Sequence, residues 1–227
     1  MPVYRIEDAL IFPDPNLARE DGMLGVGGDL SVKRLLMAYK MGIFPWYSQG
    51  QPICWWSPDP RFVLYPEHLK VSKSMRQLLR KAPFQVSFDT KFENVMRACK
   101  NIYRPGEIGS WIDEDMIKAY KELHHLGMAH SIEVWQEGRL VGGLYGVSIG
   151  AAFFGESMFA RASNASKYGF IVLVRWLQDR GFRLIDCQMH TDHLESLGAT
   201  MIPRMQFMDE LKAAIAGNQP AGQWSYS

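Results

Sequence analysis

The sequence predicts an α+β protein in which a small, turn-rich N-terminal unit precedes a larger mixed sheet flanked by helices. Three observations lead there. Its opening stretch is broken by the turn clusters Phe12-Pro13-Asp14-Pro15-Asn16, Gly25-Val26-Gly27-Gly28-Asp29 and Ser57-Pro58-Asp59-Pro60-Arg61. Three strand-like runs then follow one another between residues 130 and 154 with no helix between them. Finally, a strongly apolar helical run from Asn164 to Gly181 separates these from a last apolar run at Phe182 to Gln188. The expected division is 1–62 for the N-terminal unit and 63–227 for the remainder.

Taken in order, Ser31 is placed to cap a short amphipathic helix carrying Leu35, Leu36 and Tyr39, which Gly42 stops. A second helix starts near Ser72. Its Lys73, Arg76 and Arg80 recur at helical spacing while Met75, Leu78 and Leu79 face another way, giving a cationic stripe. Phe84 to Phe88 reads as a strand, Thr90 to Cys99 as a helix, and Asp113 as the N-cap of a helix that ends at Gly127. His130 to Trp135, Arg139 to Val147 and Ala151 to Phe154 form a meander divided by Glu137-Gly138 and Gly150. Asn164 then caps the apolar helix. A helix that crosses over after a meander returns its strand parallel to the sheet, leaving the strand's C-terminal end beside a ligand crevice. Asp186 and Gln188 lie at that end, two apart, so that on a regular strand their side chains point the same way. This order is the core of an N-acetyltransferase-like (GNAT-like) fold.

Composition narrows the class. With 227 residues, 47% hydrophobic and 22% charged, the chain can bury an ordinary globular core and does not read as disordered or membrane-embedded. Three widely spaced cysteines, Cys54, Cys99 and Cys187, form no C-x-x-C pair, so neither a zinc knuckle nor a disulfide framework is expected, and a reducing cytoplasm fits best. The N-terminus lacks a basic segment followed by an apolar stretch, and no apolar run approaches the roughly 18 residues that span a bilayer. A formal net charge of +1 means that RNA, if held, is held by a local basic patch.

Seven segments carry a more specific signal: FPWYS at Phe44 to Ser48, WWSPDPR at Trp55 to Arg61, VGGLYGV at Val141 to Val147, FFGESMF at Phe153 to Phe159, NASK at Asn164 to Lys167, LIDCQ at Leu184 to Gln188 and SLGA at Ser196 to Ala199. Together and in this order they resemble the leucyl/phenylalanyl-tRNA-protein transferase family; the ends, before Phe12 and after Phe207, contribute little. The resemblance implies a small N-terminal domain on an acetyltransferase-like domain, with aminoacyl-tRNA used directly and no ATP, metal or coenzyme A. It also implies acceptor proteins with N-terminal arginine or lysine, marked by the added residue for N-end-rule degradation.

The same resemblance assigns roles. Trp46 and Trp111 match positions associated with the terminal adenosine of the tRNA 3′ end, where aromatic stacking holds single-stranded RNA; pattern alone would make them core tryptophans. Trp55 and Trp56 are assigned to packing. Lys73, Arg76, Arg80 and Lys81 would contact tRNA phosphates, whereas pattern alone favours a solvated helix face. Leu144, Phe153, Met158, Leu173 and Ile185 match the apolar pocket for the aminoacyl side chain, which would tolerate methionine because such pockets distinguish a methylene by only about 1 to 3 kcal/mol. Glu156 is the candidate for the acceptor end; alternatively it pairs with Lys167 or Arg161 as structural support. The catalytic pair is Gln188 and Asp186. A neutral amide is too weak to be a general base, so Gln188 is expected to orient the amine, with Asp186 supporting it or assisting proton movement. Pattern alone favours a pair that fixes the strand end. His190 and His193, lacking a third ligand, are assigned neither metal nor catalysis.

Two rivals make different demands. An acyl-coenzyme A transferase places a glycine-rich turn before the crossover helix to bind pyrophosphate, but residues 160–167, Ala-Arg-Ala-Ser-Asn-Ala-Ser-Lys, contain no glycine. A non-enzymatic RNA-binding module would use the basic helix and tryptophans but would have no use for Asp186 and Gln188.

Overall fold

Two sheets of unequal size organise the chain. The computed structural model describes residues 3–102, 110–217 and 222–226. In the smaller sheet, β1 (Tyr4–Ile6) runs parallel to β2 (Met23–Gly27). After α1 (Val32–Lys40), β3 (Phe44–Pro45) and β4 (Cys54–Trp56) complete the order β1-β2-β4-β3. The Ser31 side chain accepts from the Arg34 N–H as the expected cap, and Gly42, at φ +67, turns the chain out of the helix.

The chain enters the larger sheet at β5 (Arg61–Leu64), so the change of sheet falls between β4 and β5 and the expected cut after Phe62 runs through β5. There follow α2 (Lys73–Lys81), β6 (Gln85–Phe88), α3 (Phe92–Asn101), α4 (Glu114–His125), β7 (Ala129–Gln136), β8 (Arg139–Ile149) and β9 (Ala152–Ala160). Then come α5 (Ala165–Asp179), β10 (Leu184–Gln188), α6 (Asp192–Glu195), β11 (Thr200–Ile202) and α7 (Arg204–Ile215). The seven strands lie in the order β11-β5-β10-β9-β8-β7-β6. As expected from the crossover, β10 pairs with β9 in parallel, while the other pairings in this sheet are antiparallel. The α+β architecture and the order strand, strand, strand, helix, strand are therefore those read from the sequence.

Two local expectations are corrected. β9 continues to Ala160 rather than ending at Phe154, because the long β8 offers backbone partners as far as Gly142. Asn164 does not cap α5 with its side chain; it takes a left-handed conformation at φ +64 and its amide bonds the Ser163 hydroxyl. The reversal from β9 into α5 needs a residue that tolerates positive φ, which asparagine does.

One face of the large sheet is covered by α5, which buries Phe170, Ile171, Leu173 and Leu177 against Ile132, Leu144, Phe153 and Ile185. The other face is covered by α3, α4 and α7 together with the N-terminal unit, so that Leu35, Tyr39 and Trp55 share a core with Tyr120, Tyr145, Phe154 and Phe207. Direct packing of α1 on α4 and α7 carries Tyr39 to the sheet. Among the described residues no helix is long and apolar enough to cross a membrane.

Candidate active site between two parting strands

β9 and β10 are paired from Ala152 to Phe154 and from Leu184 to Asp186, and then part. Beyond that point β9 stays with β8 while Gln188 of β10 pairs with Phe62 of β5. The register of β8 against β9 also slips here: Gly146 faces Gly155 and Tyr145 faces Ser157, leaving Glu156 as the extra residue of a bulge. A bulge lifts one side chain out of the regular alternation and re-aims it. Gly146 is needed opposite, because a Cβ there would fall on the Phe154 carbonyl oxygen and the Phe153 ring.

A cavity of about 450 Å³ occupies the gap, and its lining draws on both faces of the sheet. From the α5 side come Leu144, Met158, Phe170 and Ile185, an apolar end, with Ser166, Thr191, His193 and Leu194 along the wall. From the other side come Phe44, Trp46, Trp111, Tyr145 and Glu156. Trp46 is 36% exposed and its ring lies 5.4 Å from that of Trp56, whose Nε1 donates to the Trp46 carbonyl. Trp55 is fully buried and its Nε1 donates to the Gly27 carbonyl, so it is a packing residue as expected.

Glu156 sits where the two faces meet. Its Oε1 accepts from the Tyr39 hydroxyl at 2.7 Å and from the Gln188 side-chain amide at 2.9 Å, and its Oε2 accepts from the Tyr120 hydroxyl at 3.1 Å. The two phenols also hydrogen-bond each other. Lys167 and Arg161, the alternative partners considered from sequence, are engaged elsewhere, with the Ser196 hydroxyl and the Leu140 carbonyl. Burial pushes the Glu156 carboxyl up to about 7; the phenols and the Gln188 amide hold it down while the negative charge of Asp186 adds to the rise. Both phenols are pushed well above the usual tyrosine range, first by burial and then by the Glu156 charge, so they remain donors.

Asp186 does not face the cavity. Its carboxylate is fully buried and paired in two parallel bonds with Arg61, at 2.8 and 2.7 Å, and the guanidinium lies between the Phe44 and Phe207 rings, 4.8 and 4.6 Å from their centres. Its other task is to accept the Gln188 backbone N–H at 2.9 Å. Gln188 itself has φ +63, and the strand register breaks between the two residues, so they do not present side by side from a regular strand. This corrects the expectation that the two side chains point the same way: Gln188 reaches the cavity, and Asp186, expected to support it or assist proton movement, accepts its backbone N–H.

The pocket residues divide in the same way. Leu144, Met158 and Ile185 line the apolar end, whereas Phe153 and Leu173 are fully buried in the core beside it and do not line it. Phe153 packs in the core beside Ile185, its partner across the β9–β10 pairing, and Leu173 is one turn of α5 beyond Phe170, which lines the cavity instead. Lys73, Arg76, Arg80 and Lys81 are exposed on α2 and do not line the cavity. Tyr39, Tyr120, Arg61, Phe170 and His193 were not anticipated as site residues. A tyrosine on a buried helical face, as at Tyr39, was a usable signal, because its hydroxyl needs a partner. Arg61 closes the WWSPDPR segment, but nothing in the sequence pairs it with Asp186.

A family model described as leucyl/phenylalanyl-tRNA protein transferase matches residues 63–212, and the model of that family's N-terminal domain matches residues 28–59. The chain belongs to this family. Its relatives include the leucyl/phenylalanyl-tRNA–protein transferase of Desulfatibacillum aliphaticivorans, 54% identical over 99% of this chain and 97% of the relative. That of Syntrophus aciditrophicus (strain SB) is 53% identical over 99% and 94%. Among solved structures, a GCN5-related N-acetyltransferase-like protein from Streptococcus suis 89/1591 overlaps 63% of this chain and 59% of its own, with 18% identity and a TM-score of 0.36. The resemblance carried by the seven segments thus holds, and as a family member the chain is an aminoacyltransferase.

Proposed function

We propose that the protein transfers leucyl or phenylalanyl groups, and methionyl groups less well, from charged tRNA to the α-amine of proteins beginning with arginine or lysine. On this reading it works in the cytoplasm and the added residue marks its acceptors for N-end-rule degradation. The observation that supports it is one cavity with an apolar end at Leu144, Met158, Phe170 and Ile185 and a half-buried carboxyl, Glu156, at the other, joined by Gln188.

The donor side chain fills the apolar end, bringing the ester carbon to the gap beside Gln188. Trp46 and Trp111, at the same cavity, stack on the terminal adenosine, each stack contributing about 1 to 3 kcal/mol. The acceptor amine arrives at Glu156, and Gln188 orients it by hydrogen bonding; with the reacting atoms so held, positioning supplies much of the acceleration. The exposed cations Lys73, Arg76, Arg80 and Lys81 meet tRNA phosphates. Residues 1–62 contribute Tyr39, Phe44, Pro45 and Trp46, and residues 63–227 contribute the other cavity residues.

The test incubates the protein with radiolabelled Leu-tRNA or Phe-tRNA and a peptide beginning with arginine, with acetyl-coenzyme A as donor in a parallel tube. Label from either aminoacyl-tRNA entering the peptide is the expected result. Label from acetyl-coenzyme A alone would overturn it.

A further inference from the structure

We infer that Glu156 is the general base of the transfer: it takes the proton from the acceptor amine and hands it to the leaving ribose oxygen. This rests on the aminoacyl-transfer reading given above. In the step, the neutral amine nitrogen bonds to the ester carbonyl carbon and the bond from that carbon to the ribose oxygen breaks. The nitrogen's proton passes to the Glu156 carboxylate and from the resulting acid to the ribose oxygen. An amide, a tRNA hydroxyl and the original carboxylate remain.

Geometry singles out Glu156 from its neighbours. Gln188 is a neutral amide and takes no proton near pH 7. Asp186 is locked to Arg61 and does not line the cavity. Burial pushes the Cys187 thiol up, away from any thiolate role. Glu156, by contrast, is the acidic side chain of the lining, aimed by its bulge, and its Oε1 lies 2.9 Å from the Gln188 amide that orients the amine. A base must sit within hydrogen-bond reach of the proton it takes, and an amine held at Gln188 meets that condition.

The groups facing Glu156 are the Tyr39 hydroxyl from α1, the Tyr120 hydroxyl from α4, and Gln188 and Asp186 from β10; Arg61 is taken up by Asp186. Among the described residues, none of the hydrogen bonds or ion pairs to this carboxyl comes from a cation. A carboxyl near 7 is divided between its two forms at neutral pH, which suits a group that takes a proton from the nitrogen as it bonds to carbon and then gives it to the ribose oxygen. Turnover requires the carboxylate and therefore rises with pH through that region. The rival base is His193, which lines the α5 side of the cavity and carries a buried Nε2 without a partner. Burial, and then the Lys167 charge, lower its pKa.

The experiment measures kcat against pH at saturating Leu-tRNA and arginine-initiated peptide, for the wild type and for Glu156→Gln, Tyr120→Phe and His193→Asn, with two peptides whose amines differ in pKa. The expected wild-type profile rises through two ionisations: one follows the peptide amine, which must be neutral, and one near 7 does not follow it, moves up in Tyr120→Phe, which removes a donor to the carboxylate, and survives in His193→Asn. Glu156→Gln, with an unchanged melting temperature as folding control, should lower kcat by about 100-fold or more while changing peptide KM less than kcat. A profile in which the peptide amine alone titrates, a limb near 7 abolished only in His193→Asn, or a Glu156→Gln variant altered only in KM would overturn the proposal. Failure of the wild type to transfer label at all would instead strike the functional reading beneath it.

Discussion

At Gln188 the chain adopts a left-handed conformation, at φ +63, which a non-glycine residue keeps only at a cost of about 1 to 3 kcal/mol and when its surroundings enforce it. Here the enforcing interaction is the bond from its N–H to Asp186, itself immobilised by Arg61. Gln188→Ala should therefore lower kcat by about 100-fold with little change in donor affinity, because orientation of the amine is lost and the donor pocket is untouched. Trp111→Ala should do the opposite, weakening donor binding roughly 5- to 150-fold through removal of the stack while kcat changes less. Single-turnover and binding measurements separate the two. At this scale the sequence was partly legible. Chemistry-bearing residues at a strand end could be named from pattern and resemblance, but the division between Gln188, which touches the cavity, and Asp186, which holds it, depends on Arg61, 125 residues away in sequence. A pairing across that distance leaves no local trace.

The elements that matter most are the two strands that separate. Their order and parallel pairing follow from a meander, a crossover helix and a return strand, which hydrophobic periodicity reveals directly. The bulge at Glu156 and the continuation of β9 to Ala160 do not, because each depends on the register β8 imposes. Phe153 and Leu173, which the resemblance places at the pocket, lie in the core, where apolar pattern alone would put them. α2 was read from pattern in full, with Ser72 capping it, Met75 inward and the cations outward. Replacing both Arg76 and Arg80 by alanine should weaken aminoacyl-tRNA binding and lower the slope of log affinity against log salt by about 1 for each phosphate no longer neutralised, with kcat at saturating donor unchanged. A titration at several salt concentrations reads this directly.

In the whole molecule, the N-terminal unit is part of the candidate site, since it delivers Tyr39 to Glu156 and Trp46 to the cavity while α1 packs on α4 and α7. Arg61 stands at the junction, in β5 beneath Phe44 of β3 and Phe207 of α7. Arg61→Met should destabilise the protein by about 3 to 5 kcal/mol because it strands a buried carboxylate, and adding Asp186→Leu should restore most of that stability without restoring turnover. Denaturant melts beside activity assays check both halves. The central claim is that donor and acceptor meet in the gap between β9 and β10, with the donor side chain on the α5 side. The most direct measurement is a crystal structure with a non-hydrolysable leucyl-adenosine amide. Its leucyl side chain is expected against Leu144, Met158, Phe170 and Ile185 with the carbonyl carbon beside Gln188; a ligand bound away from FFGESMF and LIDCQ would contradict the account.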